Sequence, residues 1–209
     1  MLDINRIYNM NCIDGMKQLD DECIDLIFTD PPYGKDGIYI YEEVSKEAKR
    51  ILKNGGICIF YAPDYWLDKT FPICMKYLDY FYLFHKINNR GTASIFPKKI
   101  FAGGKSILLF SKGKPKKMDW LNNVISISAL EKESHPLNWQ QIIQDAIKFI
   151  KTYSNEGDIV LDPCIGSGTT AIACRQLRRN FIGFEKDKEV YEIAINRVMS
   201  KILEDKEEK

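Results

Sequence analysis

The sequence predicts an α/β domain of three layers, in which helices cover both faces of a mostly parallel sheet and an antiparallel hairpin forms one edge. Short apolar runs alternate along the chain with amphipathic segments of helical period. This alternation is typical of parallel sheets, because the crossover between two parallel strands usually passes through a helix. Two other strand-like runs, residues 81–86 and 106–112, flank a polar, glycine-containing connection. We expect these two runs to pair as the antiparallel edge.

Five segments are predicted to be strands of the parallel part of the sheet. Most of them are near-continuous apolar runs, as expected for strands that are covered by helices on both faces. The run nearest the N-terminus is the weakest. The segments are residues 6–10, 24–29, 57–61, 159–161 and 181–184.

Four segments repeat apolar residues with the period of a helix. The first is followed by Asn54, Gly55 and Gly56, which we expect to stop it. The last is followed by a charged tail, which we expect to fray. The segments are residues 41–52, 139–153, 169–177 and 189–203.

The composition is that of one globular domain, and we expect residues 1–209 to form a single unit. The 209 residues are 45% hydrophobic and 28% charged, which is ordinary for a soluble protein. The sequence contains no apolar run of membrane-spanning length. The six cysteines form no Cys-x-x-Cys pair, so neither a metal site nor a disulfide framework is indicated. These features predict a cytoplasmic protein without a metal and without membrane attachment.

Basic residues are concentrated in one part of the chain. The net charge is only +1, but nine lysines and arginines and no acidic residue lie between Asp79 and Asp119. Such a stretch is either a face that binds phosphate groups or a solvated basic surface, and the composition by itself favours neither. If the stretch binds DNA, we expect the contacts to come from Arg90, Lys98, Lys99 and Lys105.

A strand, a tight turn and the start of a helix follow one another in residues 159–170. Gly166 and Gly168 allow the backbone to turn sharply and to approach a ligand closely, and the helix N-terminus favours a carboxylate. The next strand ends at Glu185, which can accept hydrogen bonds from both hydroxyls of a ribose. Neither a dinucleotide fingerprint nor a phosphate loop is complete. The pattern therefore favours a nucleoside without phosphates, such as S-adenosylmethionine; a structural turn that binds nothing is the alternative.

The tetrapeptide Asp30-Pro31-Pro32-Tyr33 comes directly after the predicted strand 24–29, where ligands of open α/β sheets bind. An amino group on an aromatic base is a poor nucleophile, because its lone pair is delocalised into the ring. Asp30 and the Pro31 carbonyl can accept hydrogen bonds from that group and turn its lone pair toward a methyl donor. Tyr33 offers a flat face for the base. A rigid turn is the alternative, and it is disfavoured if this tetrapeptide and the glycine turn end two strands of one sheet.

With these motifs the sequence resembles the amino-methyltransferases of DNA, which act on adenine or cytosine. The tetrapeptide is similar to the family's catalytic motif, residues 162–170 to its cofactor loop, and residues 181–185 to the strand that ends at the ribose. Residues 51–56 and 134–136 also resemble family segments. The tetrapeptide precedes the cofactor loop, and this order resembles the permuted beta class.

The resemblance implies the Rossmann-like fold of S-adenosylmethionine-dependent methyltransferases and assigns roles to individual residues. The catalytic residues are expected to be Asp30, Pro31, Pro32 and Tyr33. The cofactor is expected to contact Asn11, Cys12, Asp30, Asp162, Pro163, Cys164, Gly166, Ser167, Gly168, Thr169 and Glu185. Asn11 stands where the family often has an acidic residue. No role is assigned to Asn138, Trp139 and Gln140, where the family pattern is broken.

The function that the resemblance implies is methylation of the exocyclic amino group of a flipped DNA base in a restriction-modification setting, with adenine N6 favoured over cytosine N4. Family members usually carry a sizeable target-recognition region, and here only residues 86–130 are available for it. We expect this segment to be a reduced DNA-contact region; whether a second subunit or a homodimer shares its task stays open. The alternatives are an RNA or protein-glutamine methyltransferase and a binding module without turnover.

Overall fold

The structure, a computed structural model, describes residues 2–87, 93–126 and 143–207. The strands in these ranges are β1 (Arg6–Asn9), β2 (Ile24–Thr29), β3 (Leu52–Ala62), β4 (Asp79–Ile87), β5 (Ala93–Ile95), β6 (Ile100–Ala102), β7 (Gly104–Ser111), β8 (Val124–Ser126), β9 (Ile159–Asp162) and β10 (Asn180–Glu185). The α-helices are α1 (Cys12–Met16), α2 (Ile38–Ile51), α3 (Leu67–Met75), α4 (Ile143–Tyr153), α5 (Thr169–Gln176) and α6 (Lys188–Glu207).

Eight of these strands form one sheet in the order β1-β10-β9-β2-β3-β7-β4-β8. In this order, the first five strands, β1, β10, β9, β2 and β3, pair in parallel with their neighbours. Strand β7 is antiparallel to both β3 and β4, and the short β8 runs parallel to β4 at the edge. Strands β5 and β6 form a separate antiparallel hairpin. The predicted sheet, mostly parallel with an antiparallel pair on one side, is confirmed, although β8 extends it beyond that pair.

Apolar clusters lie on both faces of the sheet, so the predicted three layers are also confirmed. Helices α4, α5 and α6 pack on one face, and α1, α2 and α3 pack on the other. Along β3, Ile57, Ile59 and Tyr61 belong to the first cluster, whereas Cys58 and Phe60 belong to the second. All five side chains are at most 1% exposed. Burial on both faces explains why this strand is continuously apolar in the sequence.

The parallel pairing brings three strand ends to one edge of the sheet. Strand β2 pairs with β9 through Leu26 opposite Val160, and β9 pairs with β10 on its other side. Because the three strands run in the same direction, the segments that follow them begin side by side. The tetrapeptide after β2, the glycine turn after β9 and Glu185 at the end of β10 therefore lie at the same edge.

The expectation that Asn54, Gly55 and Gly56 stop the first long helix is wrong. Helix α2 ends at Ile51, and Leu52 is already extended with φ −66° and ψ 136°. The pairing of β2 with β3 jumps from Ile24 opposite Leu52 to Leu26 opposite Ile57. The three residues lie in this bulge, where Gly55 has a φ of +86° that favours glycine.

The sequence patterns do not predict the short elements α1, α3, β5, β6 and β8. Helix α3 contains Pro72, which interrupts a helical pattern. Helix α1 has only five residues, and the side-chain oxygen of Asn11 caps it by accepting a hydrogen bond from the Ile13 N–H at 2.9 Å. The strands β5, β6 and β8 have three residues each, too few to show a period.

Two helices differ from the predictions in extent. The described part of α4 begins at Ile143, and residues 139–142 of the predicted helix lie outside the described residues. Helix α6 continues to Glu207, four residues beyond its predicted end at residue 203, and lysine and glutamate are good helix formers; the expected fraying of the charged tail stays a prediction. Although α6 has 20 residues, no helix in the described ranges is long and apolar enough to cross a membrane.

Gly15 on α1 provides a test of the packing between α1 and β10. A Cβ at this position would lie 2.4 Å from Cε1 of Phe184, which is fully buried. We expect Gly15→Ala to lower the free energy of unfolding by about 1–3 kcal/mol, as other overpacked cores do. Urea denaturation measures this change. The control is Lys17→Ala on the exposed side of the same turn, with an expected change below about 0.5 kcal/mol; a wild-type value for Gly15→Ala would contradict the described contact.

Candidate active site

The tetrapeptide forms a loop directly after β2, and a close backbone contact fixes the position of this loop. Pro31 is buried, whereas Pro32 and Tyr33 are exposed. The carbonyl oxygen of Pro32 lies against Gly37, and a Cβ on residue 37 would come within 2.0 Å of this oxygen. Glycine is therefore required at position 37, although no sequence pattern singles it out.

Asp30, Tyr33 and Lys105 form a hydrogen-bonded group in the site. The Tyr33 hydroxyl donates to Asp30 Oδ1 and accepts from Lys105 Nζ at 2.8 Å. Lys105 Nζ also lies 3.8 Å from Asp30 Oδ2 and 4.6 Å from the centroid of the Tyr33 ring. Although part of the Tyr33 side chain is exposed, desolvation of its hydroxyl and the adjacent Asp30 carboxylate raise the pKa of Tyr33, so the hydroxyl stays protonated. Burial lowers the pKa of Lys105, and Asp30 opposes this effect.

The turn after β9 is built around the Asp162 carboxylate. Asp162 Oδ1 accepts a hydrogen bond from the Cys164 N–H at 3.0 Å, and Oδ2 accepts one from the Thr170 hydroxyl at 2.5 Å. Gly166 and Gly168 have φ values of +52° and +85°, which glycine adopts without strain. The Asp162 side chain is almost completely buried, and this burial raises its pKa to about 7.

The carboxylate of Glu185 faces the glycine turn. Its Oε2 accepts a hydrogen bond from the Gly166 N–H at 3.2 Å, and its Oε1 accepts one from the Asp187 N–H at 2.9 Å. These two backbone donors hold the carboxylate in one orientation. Since an ionised carboxylate has about four acceptor sites, it can still accept hydrogen bonds from two ligand hydroxyls.

Arg197 on α6 supports the glycine turn, and the sequence did not identify it. Its Nη1 lies 3.1 Å from the Ser167 carbonyl oxygen, 3.3 Å from Ser167 Oγ and 3.1 Å from Thr169 Oγ1. Ser167 and Thr169 are buried, so these contacts shape the turn from within. No local signal could have found Arg197, because it is one of several basic residues on an amphipathic helix.

The two predicted motifs share one cavity. A cavity of about 390 Å³ is lined by Asp30 and Tyr33 from the tetrapeptide and by Gly166 and Glu185 from the cofactor segment. A smaller space of about 70 Å³, between Asp30 and Asp162, continues it toward the sheet. The structure thus brings together the residues expected to hold the methyl acceptor and those expected to hold the cofactor.

The charges around this cavity suit a cationic nucleoside. The carboxylates of Asp30, Glu185 and Asp187 line it, together with the ammonium group of Lys105, and the smaller space adds Asp162. Such a lining repels phosphate groups and attracts cations. S-adenosylmethionine carries a sulfonium and an ammonium group and no phosphate, so the residues present fit this cofactor.

Asn11, Cys12 and Pro163, which were expected to contact the cofactor, are not among the residues that line the two cavities. The thiols of Cys12 and Cys164 are hydrogen-bonded, which lowers the pKa of Cys12 and raises that of Cys164. Cys164 lines both cavities. Asn11 uses its side-chain oxygen as the cap of α1, and Pro163 is buried within the turn.

The residues predicted to contact DNA lie in two settings. Lys98 and Lys99 are exposed on the turn of the hairpin β5–β6, and Lys98 Nζ lies 5.2 Å from the centroid of the Tyr65 ring. Lys105 lies inside the active site instead. Outside the described residues lie Arg90, residues 134–136, Asn138, Trp139 and Gln140. Within the described residues, no group of three or more His, Cys, Asp or Glu side chains could hold a metal ion.

Comparison with known proteins gives a consistent result. A family model described as DNA methylase matches residues 146–196. The type II methyltransferase M.HpaI of Haemophilus parainfluenzae is 30% identical over 251 aligned residues, which cover 93% of this chain and 74% of M.HpaI.

Solved structures share the fold. The M1.HpyAVI–SAM complex superposes with a TM-score of 0.72 and 27% identity over 92% of this chain and 98% of that one. The PvuII DNA methyltransferase, described as cytosine-N4-specific, superposes with a TM-score of 0.74 and 17% identity over 93% of this chain and 92% of that one.

The raised pKa of Asp162 predicts a dependence of stability on pH. Between about 4, the pKa of an unfolded aspartate, and about 7, the folded protein holds a proton that the unfolded chain has lost. Stability therefore falls as the pH rises through this window. Because an asparagine cannot ionise, we expect the unfolding free energy of Asp162→Asn, relative to wild type, to rise by at least about 1 kcal/mol from pH 4 to pH 8. Urea denaturation without cofactor measures this difference, and a difference independent of pH would contradict the prediction.

Proposed function

Because the chain belongs to the family of S-adenosylmethionine-dependent DNA methylases that modify the exocyclic amino groups of adenine and cytosine, we propose that it methylates N6 of adenine in DNA. The observation that carries the proposal is that Asp30 and Gly166 line one cavity. In a direct transfer the acceptor nitrogen and the methyl donor must meet in a single site.

The residues after β9 and β10 form the cofactor half of the proposed site. When bound, S-adenosylmethionine supplies a methyl group on a positively charged sulfur. Glu185 accepts the ribose hydroxyls, because two backbone N–H groups already orient its carboxylate. The turn from Asp162 to Thr169 would surround the amino-acid end of the cofactor, and the ammonium group of that end would favour the ionised form of Asp162, whose pKa is raised to about 7 without a ligand. Asn11 and Cys12 border the adenine, on the side of the Cys12–Cys164 contact.

The tetrapeptide forms the acceptor half of the proposed site. The target base leaves the duplex, which costs a few kcal/mol of stacking and pairing, and stacks on Tyr33. The Asp30 carboxylate and the Pro31 carbonyl oxygen each accept a hydrogen bond from one N–H of the amino group. Because methyl transfer moves positive charge onto the nitrogen, a nearby carboxylate stabilises the transition state. In the structure the Asp30 carboxylate accepts a hydrogen bond from the Tyr33 hydroxyl and lies near the ammonium group of Lys105. The amino group of the target base therefore replaces one of these two groups when it binds to Asp30.

Adenine is favoured over cytosine by the first residue of the tetrapeptide. Position 30 is an aspartate, whereas a leading serine is commoner among the cytosine enzymes of the family. Cytosine N4 is the second candidate, since the PvuII enzyme with the same fold is described as cytosine-N4-specific.

We also propose that residues 1–209 act as one methyltransferase domain and that residues 86–130 are its reduced target-recognition segment. The alignment with M.HpaI extends over 251 residues although this chain has 209, so M.HpaI contains segments that this chain lacks. In the segment, Arg90, Lys98 and Lys99 contact phosphates. So small a segment is consistent with a second subunit or a homodimer that shares target recognition.

The proposed product is tested by incubating unmethylated DNA with the protein and labelled S-adenosylmethionine, followed by digestion to nucleosides and mass spectrometry. We expect N6-methyladenine. Detection of N4-methylcytosine instead would show that the target base is cytosine and not adenine. Label that appears only in parallel RNA or protein pools would refute DNA as the substrate.

The role of Asp30 is tested by Asp30→Ala. We expect the single-turnover rate to fall by about 100-fold or more, because a preorganised group that stabilises transition-state charge is lost. Cofactor affinity, measured by calorimetry, should fall much less than the rate, because Asp30 is only one of the residues expected to contact the cofactor. The control is Asp20→Ala, an exposed carboxylate that precedes β2 at its other end. An unchanged rate for Asp30→Ala would remove Asp30 from its proposed role.

A further inference from the structure

A second cavity, of about 520 Å³, adjoins the active site and shares Tyr33 and Lys105 with it. One wall is the turn after β3, which carries Tyr65. The opposite wall is the hairpin β5–β6, which contributes Ile95, Lys98, Ile100 and Phe101. The function proposed above needs only the Tyr33 end of this cavity, so its Tyr65 end is left without a role.

Each of the two tyrosine rings in this cavity is covered by an ammonium group. Lys105 Nζ lies 4.6 Å from the centroid of the Tyr33 ring, and Lys98 Nζ lies 5.2 Å from that of Tyr65. A cation over a partly exposed ring is held weakly, and a stacked nucleobase is held more strongly. A base can therefore displace the ammonium group from either ring.

The backbone at Tyr65 is held in a fixed position. Asp64 Oδ1 accepts hydrogen bonds from the backbone N–H of Ser106 at 3.1 Å and from its hydroxyl at 2.6 Å, and Ser106 is fully buried on β7. The Tyr65 ring also makes an edge contact with Trp66, with 4.9 Å between the centroids. A ring that is already held in place loses little conformational entropy when a base stacks on it.

The charge around the cavity fits a nucleic acid strand. Lys98 and Lys105 line it, and Lys99 is exposed on the same hairpin turn as Lys98. The carboxylate of Asp64, which also lines it, is engaged by Ser106. Aromatic faces with lysines beside them are how many proteins bind single-stranded nucleic acids.

We propose that this cavity binds a second unpaired nucleotide, the immediate neighbour of the target nucleotide in the same DNA strand. Its base stacks on Tyr65, and Lys98 moves from the ring to an adjacent phosphate. The proposal rests on the proposed function, because Tyr33 holds the target base in the adjoining part of the cavity. It implies that the enzyme opens the base pair beside the target as well as the target pair.

The stacking of the neighbouring base on Tyr65 is tested by a double-mutant cycle, in which the tyrosine ring and the base are removed singly and together. The DNA carries the target site with both neighbours intact, or with the base 5′ or 3′ of the target replaced by an abasic site. On intact DNA, Tyr65→Ala is expected to lower kcat/KM about 10-fold. On the DNA without the contacted base the loss should be less than about 2-fold, because the contact is already absent. Tyr65→Phe keeps the ring and should recover most of the loss.

Equal losses from Tyr65→Ala on all three DNAs would overturn the proposal. The matched control is Tyr80→Ala, which removes an exposed aromatic ring at the start of β4 and should not change kcat/KM on any of the three DNAs.

The phosphate contact of Lys98 is tested by the salt dependence of DNA binding. Lys98→Met should reduce the slope of the logarithm of the DNA-binding constant against the logarithm of the salt concentration by about one unit. Lys151→Met, an exposed lysine in the last turn of α4, should leave this slope unchanged, and an unchanged slope for Lys98→Met would remove Lys98 from the site.

A binding experiment separates this proposal from the proposed function. Fluorescence anisotropy with a labelled single-stranded dT oligonucleotide of about eight nucleotides requires no methyl transfer. Tyr65→Ala should weaken this binding about 10-fold, and Tyr80→Ala should not. Equal affinities of wild type and Tyr65→Ala would overturn the cavity proposal, whether or not the protein methylates DNA. Binding that depends on Tyr65, in a protein that methylates no DNA, would refute the proposed function and the assignment of this nucleotide as the neighbour of a target, and would leave the cavity only as a nucleotide-binding site.

Discussion

The parallel pairing of β2 with β9 is the constraint on which the rest of the site depends. Leu26 lies opposite Val160 and Ile27 lies opposite Leu161, so the ladder decides where each strand ends relative to the other. A slip of one residue would move one motif by about 3.3 Å along the other. Reacting atoms must come within about 3–3.5 Å of each other, so such a slip would misalign the acceptor half of the site with the cofactor half. Burial of β2 on both faces holds the register, because a slip would also exchange the side chains between the two apolar clusters.

The site divides its charges between two ligands. Where the glycine turn faces the cavity the charged side chains are the carboxylates of Asp162, Glu185 and Asp187, and backbone N–H groups hold Glu185 and Asp162 in place. Around Tyr33 and the hairpin β5–β6 they are mostly lysines, which suit a polyanion. Asp30 lies between these two regions, where it accepts a hydrogen bond from Tyr33 and lies near the ammonium group of Lys105. A carboxylate in this position can meet both a cationic methyl donor and an amino group of the acceptor.

Features that depend on local interactions were predicted correctly from the sequence, and several features that depend on contacts between distant segments were not. Strand β2 has the predicted bounds, residues 24–29, because a buried strand shows its burial in its own residues. Asn54, Gly55 and Gly56 have the composition of a helix stop, yet they form a bulge because β3 must pair with β2. The local charge pattern groups Lys105 with the surface lysines Lys98 and Lys99, whereas its hydrogen bond to Tyr33, 72 positions away, places it in the active site.

The sequence by itself determined the layered α/β class, the main strands and helices, and the two motifs, because periodicity, apolar runs and turn residues report local backbone preferences. Only the tertiary structure decided which side chains meet. Arg197 reaches the glycine turn across 30 positions of the chain, Gly37 is required by the Pro32 carbonyl, and the cavity beside Tyr65 exists only where the hairpin β5–β6 faces the end of β3. Such contacts join segments whose own sequences carry no record of one another, so packing alone brings them together.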